Sequence, residues 1–138
     1  MKKAIFYHIY PLGLLGAPKT NNFTSAPKDL LVGLYPWLDH IESFGCNALY
    51  LGPVFESTSH GYDTVDYFQV DRRLGTNTAL RNLVLRAEDQ GIKVVLDAVF
   101  NHVGRDFWAF KDVQKFGKKS KYKDWFSNID FTKKSPFG

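Results

Sequence analysis

Apolar and polar positions fall into blocks along this chain. Ala4 to Tyr10 is a short apolar run that predicts a strand. The stretch after it, through PKTNNFTSAPKD, is polar and too long for a plain connection, which predicts a functional or mobile loop. From Pro36 the spacing changes to three and four: Trp37, Leu38, Ile41 and Phe44 predict one inward face of a helix that starts at Pro36 and stops at Gly45. Asn47 to Leu51 follows as a second apolar strand. The arrangement then repeats. Thr76 or Asn77 caps a helix with Ala79, Leu80, Leu83, Val84 and Ala87 inward, Gly91 ends it, and IKVVLDAVF supplies a third strand.

Strands apolar on both faces, separated by amphipathic helices, predict a parallel sheet with helices outside, joined by right-handed βαβ units: an α/β fold. Beyond His102 the pattern lapses. Trp108, Phe110, Phe116, Tyr122, Trp125, Phe126 and Phe131 are scattered among lysines and glycines, which reads as an irregular excursion. No low-complexity tract or sustained heptad occurs.

With 138 residues, 44% of them hydrophobic, the chain can bury the core of one domain. The net charge of +4 is uneven: Lys111 to Gly138 holds eight Lys against three Asp, leaving the rest near −1. This lysine and aromatic tail, which has no arginine after Arg105, is a solvated loop rather than a nucleic-acid grip. PLGLLGAP lacks the spacing of a dinucleotide loop. Cys46, the only cysteine, reads as a small buried hydrophobe and fits a reducing compartment, so a cytoplasmic location is expected. His8 and Pro11 interrupt the opening apolar run early, which favours a strand over a signal peptide. No apolar stretch approaches the roughly 20 residues of a membrane span, so no membrane partner is expected.

The chemistry gathers where strands end. In parallel sheets ligands are met at the carboxyl ends of strands, and there this chain places HIYP, then GPVFESTSHGYDTVDYF, then DAVFNH. Asp97 shares strand parity with Val95 and Val99, one or two residues short of its strand's end. It serves either as a buried ion-pair partner or directly in chemistry, and both roles call for a nearby cation. His102 is either a loop histidine satisfied by backbone or a site residue. Asn101 offers one neutral oxygen of the kind calcium takes, though one amide is not a site. Tyr62, beside Gly61 and flanked by His60 and Asp63, is either a core tyrosine or an aromatic face with hydrogen-bonding neighbours, as a sugar ring requires. Asp66 and Asp71 read as turn or cap residues.

Taken together, NALYLGPVFES, HGYDTVDYFQVDRRLGT and KVVLDAVFNHVG resemble the N-terminal part of the alpha-amylase family of glycoside hydrolases, whose catalytic domain is a (β/α)8 TIM barrel. KYKDWF resembles the start of that family's inserted domain B. The resemblance implies that residues 1–102 supply the first three βα units and 103–138 begin domain B. It implies that Tyr62 stacks on the sugar before the scissile bond and that His102 contacts the same ring. It makes Asp97 a structural aspartate near the nucleophile, and it puts Asn101 where many members bind calcium.

The implied substrate is an α-glucan or oligosaccharide, cleaved by a retaining two-carboxylate mechanism. The family's nucleophilic Asp and acid/base Glu fall on later strands, so the chain reads as an inactive fragment. With its sheet edges open, such a fragment is expected to self-associate. The other role open to it is non-catalytic sugar binding or that of a subunit.

Overall fold

The computed structural model describes residues 3–133. Met1, Lys2 and the last five residues of the expected insertion lie outside the described residues.

Three parallel strands in the order β1 (Phe6–Ile9), β2 (Ala48–Leu51), β5 (Lys93–Leu96) form the central sheet. The register aligns Phe6 with Ala48 and Lys93, and His8 with Tyr50 and Val95. The alternate residues Tyr7, Ile9, Leu49, Leu51, Val94 and Leu96 therefore share the other face. That face meets α2 (Tyr35–Ser43) and α3 (Asn77–Asp89), where Leu38, Ile41, Leu83 and Ala87 close the core. Thr76 caps α3 as expected, its hydroxyl accepting the Ala79 N–H at 3.1 Å. The opposite face of the sheet is open, with Phe6 56% and Val95 42% exposed. Ala48, on the same face, is buried.

Several boundaries differ from expectation. The first strand is shorter than Ala4 to Tyr10, and a one-turn helix α1 (Pro11–Leu14) follows it. α2 starts one residue before Pro36, continuing a 3-10 turn over Leu31–Leu34, and Phe44 lies at its exposed end, not inward. Cys46 is only partly buried against the core. Between β2 and α3 lies an antiparallel hairpin that the sequence pattern did not predict, β3 (Phe55–Ser57) and β4 (Thr64–Val70). Beyond Gly104 the chain is not wholly irregular: α4 (Trp108–Phe116) buries Ala109 and Val113, and Trp108 meets Tyr122 and Trp125 edge-on.

The hairpin is fastened from below by charge. Asp71 is fully buried, and its carboxylate takes two bonds from the Arg73 guanidinium, from Nε at 2.9 Å and Nη2 at 2.7 Å. The Ser57 hydroxyl and amide also donate to it. Arg73, itself 4% exposed, spends its remaining N–H groups on Ser57 Oγ and on the carbonyls of Pro18 and Ser59. Bidentate pairing with every donor satisfied is what lets two charges leave water. The backbone of Asp71 does form the expected turn, accepting from Leu74 and Gly75, but its side chain is no surface cap.

Candidate functional site

The strand ends bring aromatic hydroxyls around one carboxylate. β5 stops at Leu96, so Asp97 lies just past the strand, not inside it as its parity with Val99 had implied; its N–H still bonds to Leu51 O at 2.9 Å. Among the described residues Asp97 is half-buried. Phenols lie close to it. A hydrogen-bonding contact with Asp97 pushes the Tyr50 pKa up, with burial adding to it. Burial and then the Asp97 charge do the same to Tyr62. Both shifts favour the protonated phenols. The His8 ring stacks on Tyr50 at 4.7 Å, continuing the aromatic floor toward β1.

Tyr62 comes from the turn of the hairpin, 41% exposed and tilted beside the His60 ring. Gly61 has φ +91°, and a Cβ there would meet Pro53 Cβ at 2.8 Å, so only glycine lets this turn lie close over the end of β2. The Tyr10 hydroxyl donates to His60 O at 3.0 Å, and the Tyr62 N–H donates to His60 Nδ1 at 3.2 Å. Ser59 Oγ donates to Asp63 Oδ2 at 2.6 Å. Burial works to raise the Asp63 pKa, but the Ser59 hydroxyl and neighbouring amides outweigh it and hold the carboxyl below its ordinary value. Asp63 Oδ1 is buried without a hydrogen bond, 3.7 Å from His60 Nδ1.

Tyr62, Asp97, His60 and Asp63 are therefore neighbours around one strand-end cluster. His102 and Asn101 sit on the exposed loop after β5, joined to the hairpin through backbone: the Tyr67 hydroxyl contacts Val99 O at 2.7 Å and His102 O at 3.0 Å. Among the described residues no group of three or more His, Cys, Asp or Glu is placed to hold a metal ion. Asn101 adds one exposed amide, where calcium takes six to eight oxygens. Asp66 keeps its local role, accepting the Phe68 N–H at 2.8 Å. Tyr50 and Tyr67 were not among the expected site residues. Tyr50 had a signal, a polar aromatic on the open face near a strand's end; Tyr67 had none beyond its place next to an exposed Phe68.

The alpha-amylase catalytic domain, as a family description, matches residues 21–137. The chain belongs to the alpha-amylase family. It is 44% identical over 140 residues to a cyclomaltodextrinase of Bacillus sp, covering 91% of this chain and 25% of that protein. Neopullulanase 2 of Thermoactinomyces vulgaris is 39% identical over 145 residues, covering 94% and 25% respectively. Among solved structures, the ligand-free cyclic alpha-maltosyl-(1-->6)-maltose hydrolase of Arthrobacter globiformis matches with a TM-score of 0.77 at 40% identity, over 93% of this chain and 32% of that one. The chain thus spans about 25% of the length of these curated family members. The expected α/β fold is that of the family. None of the described helices is long and apolar enough to cross a membrane.

Proposed function

We propose that these 138 residues form the sugar-positioning part of an enzyme that cleaves α-glucosidic bonds in malto-oligosaccharides or cyclomaltodextrins. In this reading β1, β2 and β5 are the first three strands of a (β/α)8 barrel, and 103–138 begin an inserted domain B. The observation that carries it is the placement of the exposed Tyr62, on a Gly61 turn held close over the end of β2, and of Asp97, just past the end of β5, at the carboxyl end of a parallel sheet, the end at which such barrels meet substrate. Tyr62 offers its ring face to a pyranose, His102 reaches the same ring from the next loop, and Asp97 orients the two phenols beside them. The names of the relatives support the substrate class, as does the Arthrobacter globiformis enzyme's complex with maltose. Intracellular maltogenic amylase of Bacillus subtilis, 42% identical over 110 residues, supports a cytoplasmic setting.

Retaining cleavage takes one carboxylate to attack the anomeric carbon and one carboxylic acid to protonate the leaving oxygen, about 5 Å apart. Asp63 is held through one oxygen by Ser59, Asp71 by Arg73, and Asp106 by Lys111 and Thr58. In this reading the cleaving pair is supplied by later strands of the barrel, and the 138 residues alone release no sugar. In the complete protein, Tyr62→Ala and His102→Ala each lower kcat/KM on maltohexaose about a hundredfold, the scale of lost positioning, with the melting temperature unchanged. Unaltered kinetics in both variants would overturn the reading.

A further inference from the structure

Val99 carries φ +47°, a left-handed conformation that a β-branched side chain resists. It stands between Asp97 and His102, so the path of the chain through this one strained residue decides where the His102 loop lies relative to the Asp97 carboxylate. Such a conformation persists only where the surroundings hold it. The Val99 N–H reaches back to Asp97 Oδ1 at 3.4 Å, too long to hold much. The Tyr67 hydroxyl does more: its one proton is shared between the Val99 carbonyl at 2.7 Å and the His102 carbonyl at 3.0 Å, spanning the turn from outside.

Tyr67 is well placed to be rigid. Its ring lies edge-on among Phe55, Phe100 and Phe107, at 5.8, 5.5 and 6.0 Å, and its backbone belongs to β4. Phenylalanine would serve that packing equally, so the hydroxyl is what the packing does not explain. Two further bonds close the same seam between hairpin and loop. The Gly104 N–H donates to Thr64 O at 2.8 Å, and the Thr58 hydroxyl donates to Asp106 Oδ2 at 3.1 Å.

We infer that Tyr67 is a positioning residue whose hydroxyl holds the strained Val99 turn and thereby sets His102 against the sugar. The inference rests on the proposed role of His102. If it is right, the hydroxyl matters because the turn is strained, and relieving the strain makes it dispensable.

The test uses three variants of the complete protein, with kcat/KM measured on maltohexaose. Tyr67→Phe lowers kcat/KM about tenfold with little change in melting temperature, as loss of one orienting hydrogen bond predicts. Adding Val99→Gly, which accepts positive φ without strain, restores most of that loss. His102→Ala is the reference. If it slows turnover while Tyr67→Phe does not, the latch is overturned and the site reading stands. If His102→Ala leaves turnover unchanged, the role of His102 fails and the latch with it. A Tyr67→Phe defect that Val99→Gly leaves untouched, or one accompanied by a large fall in melting temperature, assigns the hydroxyl to the fold and overturns the inference.

Discussion

Asp71 follows the hairpin strand β4 and Asp97 follows the parallel strand β5, and the chain treats these two carboxylates in opposite ways. Around Asp71 every acceptor is answered: Arg73 binds it through two nitrogens, Ser57 through its amide and hydroxyl, and no part of it reaches water. Around Asp97 the partners are phenols and one distant amide, and the group stays half open. A saturated carboxylate has no capacity left for a ligand and a large penalty if its partner is lost; an unsaturated one organises hydroxyls that face the substrate side. Asp71 thus holds the hairpin that carries Tyr62, and Asp97 arranges what Tyr62 does there.

The sharpest break of this contrast is at the cation. Arg73→Met leaves Asp71 buried without its partner and frees the carbonyls of Pro18 and Ser59, so unfolding becomes easier by about 3–5 kcal/mol in denaturant titration of the complete protein. A change within experimental error would mean that the network is not what fastens the hairpin. Gly104→Ala is smaller. Its Cβ would sit 2.4 Å from the Asp63 carbonyl oxygen, which is backbone and cannot swing away, so the two loops must part. The expected cost is about 1–3 kcal/mol, with reduced turnover because His102 and Tyr62 move relative to each other. Full activity and stability in that variant would show the seam to be loose.

The two regions were not equally legible. β1, β2, β5, α2 and α3 follow from apolar runs and three-four spacing because their residues face one core, and burial is what writes such patterns. The hairpin was missed because its strands are only partly buried and a bulge breaks their register, so Thr64 to Val70 shows no clean alternation. In Asp71 the sequence DRR looks like any solvated turn. What makes it structural is Arg73 folding back two residues to pair in a dry space beneath Ser57, and that depends on the tertiary fold. Tyr62, His60, Asp63 and Asp97 were visible because glycine, aromatic and acidic residues cluster at predicted strand ends. Tyr50 left only the signal of a polar aromatic near the end of an apolar strand, and the strain at Val99 leaves no mark in composition.

The most direct test sets Asp97→Asn beside Asp71→Asn in the complete protein, measuring thermal unfolding and turnover of maltohexaose on each. The account predicts that Asp97→Asn melts within a few degrees of the parent and loses most of its kcat/KM, whereas Asp71→Asn melts far lower and, at temperatures where it remains folded, turns over substrate at near the parent rate. An Asp97→Asn variant that unfolds early, with its folded fraction fully active, would contradict it.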